Sequence, residues 1–187
     1  MRKKKDNYWK ILLVFCLSFF FGLNFPDIDL SLMFILSHRS ILTHGIILPL
    51  IFYIYLVKKS KIDKTLIDIF YSGILLGISI HLLADLVPKA YIGYALIKLP
   101  FNISIGKELS ILWMSSNVLA ALIITTDLVS KIEVNKLMKI FIYILPLIVG
   151  GAYMVNENDP YFKLSILFVA SAFTGYRVYK KWFLSYK

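Results

Sequence analysis

Histidine, cysteine and charge are all scarce in this chain. The single cysteine, Cys16, excludes an intrachain disulfide, and its place between Phe15 and Leu17 reads as a small buried hydrophobe. The residues before it, Leu13-Val14-Phe15, are too bulky for a lipoprotein-type cleavage site. Charged residues make up only 17% of the 187 positions, against 59% hydrophobic and 16% aromatic, and mean hydropathy is +0.75. A soluble domain normally has about half of its residues apolar, and this one would lack the polar surface to cover itself. Lipid is the solvent that tolerates such a composition. No internal repeat, low-complexity linker or separate soluble domain interrupts the chain.

A spanning helix needs ~20 mostly apolar residues, with a range of ~17–25. Six stretches qualify, at 8–25, 41–57, 66–88, 111–129, 140–155 and 164–179, and the shorter ones carry interfacial flanks such as Tyr8, Trp9 and Lys10. The expected fold is therefore all-α: one polytopic membrane domain over residues 1–187 with about six transmembrane helices. The start, Arg2-Lys3-Lys4-Lys5 before the apolar run from Ile11 to Leu23, resembles a secretory leader. No small-x-small cleavage site follows it, so it reads as an uncleaved first span. The longest connection, 89–110, carries Gly93, Pro100 and Gly106 between apolar pieces. It is expected to lie in the interface or to fold back as a lid, not to form a seventh span.

The formal charge of +10 would suggest nucleic acid in a soluble protein. Here the lysines form short clusters between apolar runs, as in cytoplasmic loops facing anionic lipid, and no nucleic-acid partner is expected. With the N-terminus inside, the inner segments hold Arg2, Lys3, Lys4, Lys5, Lys10, Lys58, Lys59, Lys61 and Lys64. They also hold Lys131, Lys136, Lys139, Arg177, Lys180, Lys181 and Lys187, sixteen of the 21 Lys and Arg in all. Arg39, Lys89, Lys98, Lys107 and Lys163 fall outside, as does the acidic turn Asn156-Glu157-Asn158-Asp159 before Pro160. That asymmetry implies an even number of spans in a plasma or inner membrane, with both termini cytoplasmic.

The three histidines gather in the first half of the chain. His38 and His44 lie in Ser37-His38-Arg39-Ser40-Ile41-Leu42-Thr43-His44-Gly45, and His81 in His81-Leu82-Leu83-Ala84-Asp85. On a helix His81 and Asp85 share a face and can share one metal ion. Pro26 disfavours helix at Phe25, which should end the first span. If 27–29 is extended, Asp27 and Asp29 point the same way. His38 and His44 would stand about 120° apart on one helix, so either a helix starts between them or they serve different metals. The end of span one, the start of span two and the end of span three share the outer side, so these motifs meet at one depth.

Imidazole with carboxylate suits zinc, or manganese or iron where oxygen donors dominate. Ionisable groups at membrane depth are costly and usually functional. Each residue also has a structural reading. Asp27 or Asp29 can cap the next helix, and His81 with Asp85 can be a hydrogen-bonded pair. Arg39 can anchor at the interface, or hold a phosphate bidentately. Ser40 and Thr43 can orient ligands from behind or cap a helix. Asp68 and Asp127, each four residues from a lysine (Lys64 and Lys131) near the inner face, read as structural pairs. The aromatics read as lipid-facing mass.

The order Pro26-Asp27-Ile28-Asp29, then His38-Arg39 with Thr43-His44, then His81 with Asp85, then Gly93 and Pro100, resembles the YdjM-type (DUF457) membrane-bound metal-dependent hydrolases. The likeness covers about residues 22–101, with the remaining spans as accessory helices. It implies a bound divalent transition metal, most readily zinc, and a hydrolase. Asp27 or Asp29, His38 or His44, His81 and Asp85 would be its ligands. The His-x-x-x-Asp element also resembles one in zinc-dependent phospholipase C and the S1/P1 nucleases, which cleave phosphoesters. Three departures stand out: no histidine precedes His38, Ser40 and Gly45 replace the usual glycine and serine, and Pro88 stands where threonine is common.

The function expected from these residues is metal-assisted hydrolysis of a lipid or lipid-linked phosphoester at the membrane interface. A metal-activated water would attack, with Asp27 or Asp29, whichever is not a ligand, as general base, and Arg39 on the phosphate. The alternatives are an amide or ester hydrolase of ceramidase-like type, or a non-enzymatic metal-binding membrane partner.

Overall fold

The structure is a computed structural model that describes residues 2–86, 96–132, 134, 136–155, 172, 175–177 and 180. Pro88, Lys89, Gly93, the 156–160 turn, Lys163 and nearly all of the expected sixth span at 164–179 lie outside the described residues. Six α-helices are described: α1 (Arg2–Asn24), α2 (Ile28–Ser31), α3 (Ile47–Lys59), α4 (Lys64–Asp85), α5 (Lys107–Lys131) and α6 (Lys136–Val155). Two short strands, β1 (Lys98–Leu99) and β2 (Ile103–Ser104), pair antiparallel in a hairpin between α4 and α5. The fold is otherwise helical. By length and composition α4 and α5 could each cross a membrane, while the apolar stretches of α1 (Tyr8–Asn24) and α6 (Leu137–Ala152) are shorter.

Helix α4 is the core of the bundle. Its N-terminus is capped by Asp63, whose carboxylate accepts the Thr65 N–H at 2.9 Å. Nearly every residue from Ile67 to Ala84 is buried, so the helix is apolar on all sides and enclosed on all sides. Helix α1 packs along it through small residues. A Cβ at Gly22 would collide with the Ile74 backbone, one at Gly73 with Ser18 and the Phe15 carbonyl, and one at Gly77 with the Phe19 carbonyl. Gly73 and Gly77, four apart, let the two backbones touch, the device common where helices associate without a hydrophobic driving force. The contact order, Ser18 near Gly73 and Leu23 near Gly77, makes α1 and α4 parallel. Helix α5 covers α4 with a stripe of Met114, Val118, Ala121, Thr125 and Val129, spaced as one helical face.

The second helix starts at Ile47, not at residue 41 as the apolar run suggests. Pro49 is the reason. A helix begun at 41 would place it in the interior, its ring against the Gly45 carbonyl with no N–H to offer. In α3 it occupies the first turn, where no N–H partner is needed. Residues 41–46 are thereby left as loop. Near its far end α3 is tied to α4 by Tyr53, whose hydroxyl donates to Asp68 Oδ1 at 2.8 Å, and the expected Lys64–Asp68 pair forms at 2.7 Å. Asp127 is paired with Arg177 at 3.3 Å.

Within the expected interfacial connection, the described part 96–110 is the β1–β2 hairpin and the start of α5. Its turn places Phe101 and Asn102 at positive φ (65° and 62°) and leaves Phe101 95% exposed. Lys98 bridges to the loop before α3: its N–H donates to the Arg39 carbonyl at 2.9 Å, and its carbonyl accepts the Ile41 N–H at 2.9 Å.

Candidate metal centre

Three pieces of chain meet at the C-terminal ends of α1 and α4. Pro26 closes α1 at Asn24, and a helix end leaves its last carbonyls without partners. One of them, Leu23, lies 2.8 Å from His81 Nδ1. A carbonyl can only accept, so Nδ1 carries the proton and Nε2 presents a bare lone pair. That nitrogen is buried and has no hydrogen-bond partner.

His44 repeats the arrangement. Its Nδ1 lies 3.2 Å from Thr43 Oγ1 and 3.4 Å from Asp29 Oδ2, while the Thr43 hydroxyl donates to that same Asp29 oxygen at 2.9 Å. With the hydroxyl proton so engaged, His44 Nδ1 is the donor, and in the neutral ring Nε2 holds the lone pair, buried and without a hydrogen bond. The two rings stand 5.7 Å apart, centroid to centroid. Between them lies Asp85 Oδ2, at 3.2 Å from His44 Nε2 and 3.7 Å from His81 Nε2. The shorter of these is an ion-pair distance that lacks hydrogen-bond alignment. Asp27 Oδ1 approaches His81 Nε2 at 3.7 Å, and single donor atoms of Asp27, His44 and His81 all lie within 4.8 Å of one another.

Two ligands held at ~2.1 Å on a tetrahedral zinc ion are about 3.4 Å apart. The 3.2–3.7 Å separations around Asp85 Oδ2 and between His81 and Asp27 match that edge. The donor set and spacing therefore fit one divalent cation, and a cation would satisfy both orphaned nitrogens.

Asp27 and Asp29 do not point the same way. Residue 27 is not extended (φ −75°, ψ 0°) and a helical turn follows, in which positions two apart diverge by about 200°. Asp27 turns to His81, and although it stands at the N-cap position of α2 its side chain makes no cap hydrogen bond. Asp29 turns to the back of His44 and is fully buried. Its Oδ1 faces His38 Nδ1 at 3.2 Å, and its Oδ2 accepts the Ser40 N–H at 3.0 Å as well as the Thr43 hydroxyl. Burial alone would raise its pKa. The hydrogen bonds from His44, Ser40, His38 and Thr43 outweigh that and hold the carboxyl well below the usual carboxylate range.

His38 thus stands across Asp29 from His44, partly exposed, its ring 6.1 Å from that of His44 and bonded to Asp29 instead of facing Asp27 and His81. Neither it nor His44 lies in a helix, since α3 begins after both, so their spacing carries no helical register. Arg39 adopts a left-handed conformation (φ 62°) that costs a non-glycine residue roughly 1–2 kcal/mol. Its Nε lies 3.4 Å from Asp85 Oδ2.

No protein-family model, curated protein or solved structure matches the chain. The site is described by its own geometry.

Two residues of α5 that sequence reasoning passed over complete the support. Trp113 Nε1 donates to the His44 carbonyl at 2.6 Å, and Asn117 Oδ1 accepts the Ile46 N–H at 2.9 Å. The signal for them was present: an asparagine in an apolar helix, one turn from a tryptophan.

Proposed function

We propose that this chain is a membrane-embedded, metal-dependent hydrolase of the kind the YdjM-type resemblance implies. In this reading Asp27, His44, His81 and Asp85 hold the cation, and the substrate is a lipid or lipid-linked phosphoester. The observation that carries it is the pair of buried Nε2 atoms on His44 and His81, which make no hydrogen bond, converge with Asp85 and Asp27 at 3.2–3.7 Å and are backed by contacts at Nδ1. Leaving a buried polar atom unsatisfied costs ~1–3 kcal/mol. Two such atoms facing each other across carboxylates suit a shared cation, which would give both a partner at once.

The membrane setting is supported by where the apolar side chains point. While α4 is enclosed, the surrounding helices turn Trp9, Leu13, Leu17 and Phe20 of α1, Ile51 and Phe52 of α3, and Leu112 and Leu119 of α5 outward. A soluble monomer rarely exposes so much contiguous apolar surface. The parallel course of α1 and α4 puts the lysine-rich start of α1 at the same end as Lys64, opposite the donor cluster. With the N-terminus cytoplasmic, that arrangement puts the site near the outer face, and the six-span topology with both termini cytoplasmic remains part of the proposal.

Zinc is the cation that best suits two imidazoles and two carboxylates. When bound, it supplies Lewis acidity and an activated water. The chain does the rest. Asp29, both oxygens engaged, is the positioning carboxylate that fixes the His44 ring. Asp27 is the open donor of the cluster, its side chain 44% exposed against 16% for Asp85 and 0% for Asp29, so a substrate would reach the cation from its side. Arg39, beside Asp85, offers a planar cation to the phosphoryl oxygens. Purified protein should cleave a phospholipid or polyprenyl-phosphate substrate in detergent and stop when chelated. A metal-loaded protein inert on a broad panel of phosphoesters would end the hydrolase reading.

A further inference from the structure

A cleft opens beside Asp27 of the donor cluster, and the residues along it specify what it can hold. A cleft of about 370 Å³ lies against Asp27, lined by Phe21, Asn24, Phe25, Asp27, Ile28 and Ser31. Its apolar wall is Phe21 and Phe25, with rings 6.1 Å apart, together with Ile28. Asn24 turns its amide back onto the Phe20 carbonyl at 2.8 Å. Among the described residues Asp27 is the single charged group of the lining. A soluble, charged substrate would find no counter-charge there. An apolar chain would find a wall of three large side chains that continues into the exposed apolar face of α1 at Leu17 and Phe20.

The segment that follows the lining residue Ser31 presents Met33, Phe34 and Ile35, each about two-thirds exposed or more. The cleft therefore runs beside exposed apolar surface of α1 and ends at an acid of the donor cluster. Its volume is at the low end of the ~300–1,000 Å³ usual for ligand sites, enough for part of a chain and not a whole lipid.

We infer that this cleft is the chain-binding subsite of a lipid substrate. The first stretch of an acyl or isoprenoid chain lies along Phe21, Phe25 and Ile28, and the polar end reaches Asp27. The polar half of this statement rests on the donor cluster being a metal centre; the apolar half does not.

The test uses the full-length protein in lipid nanodiscs with a trace of phosphatidic acid carrying a diazirine on one acyl chain. After photolysis, adducts are mapped by peptide sequencing and zinc is measured on the same samples. Adducts on 21–31 should exceed those on the outward face of α3 at Ile51 and Phe52 several-fold. Ser31→Trp, an exposed position that would fill the cleft, should abolish the excess while leaving zinc content unchanged. Phe21→Ala, which removes one wall, should reduce it and guards against misfolding of the first variant. Equal labelling of the two faces, or an excess surviving both substitutions, would overturn the subsite. Cleft labelling in a protein that binds no zinc would keep the subsite and sink the metal reading instead.

Discussion

His81 Nδ1 donates to the carbonyl of Leu23, 58 residues earlier in the chain, across 2.8 Å. That bond joins the end of α1 to the last turns of α4, and it decides which nitrogen of His81 faces the other donors. The site is therefore coupled to the packing of the two helices. Gly77, where an added Cβ would meet the Phe19 carbonyl and the Leu23 backbone, lies one turn below His81. Gly77→Val should destabilise the protein by roughly 1–3 kcal/mol, as overpacking does, and lower metal affinity as well, although it touches no donor. Thermal unfolding in detergent and zinc titration of the same variant check both effects.

Asp29 and Asp27 separate by their partners. Asp29→Asn keeps the shape but removes the charge behind His44, and losing such an outer partner typically costs 10–100-fold in metal affinity. Zinc stoichiometry at saturating metal should stay at one per chain. A variant with unchanged affinity would mean that Asp29 only braces the loop.

His44 and His38 should not behave alike. His44→Ala removes a donor and should abolish tight binding. His38→Ala removes a neighbour of Asp29 and should leave a weaker site of the same stoichiometry. Isothermal titration of the two proteins with zinc distinguishes them, and identical losses would place both among the ligands.

Topology can be read with fusion reporters. Those placed after Lys61 and Lys136 should report the cytoplasm, and one inserted near Asn158 the exterior, from the uneven distribution of lysine and arginine. An external reading at Lys61 would reverse the orientation and move the donor cluster to the inner side.

The helices were legible in sequence because long apolar runs leave few alternatives: α1, α4, α5 and α6 cover most of the stretches chosen by hydropathy alone. The residues of the donor cluster were legible too, because histidine is so scarce and its neighbours so polar. What hydropathy hid was the start of α3, where Pro49 outweighs an unbroken apolar run. It also hid the division of labour between Asp27 and Asp29, which depends on one turn of backbone. The choice of His44 over His38 rests on contacts with Thr43, Trp113 and Asn117 that no local pattern encodes. The Lys98 bridge to Arg39 and Ile41 is a tertiary contact between segments with no pattern in common.

The central claim is that His44 Nε2 and His81 Nε2 are metal donors. Elemental analysis of protein purified without chelator, alongside the His44→Ala/His81→Ala double variant, tests it most directly. The parent should carry one zinc or similar transition metal per chain and the double variant none above background, with the variant still folded. A folded parent that carries no metal and takes up none on titration would contradict it, as would a double variant that keeps its full metal content.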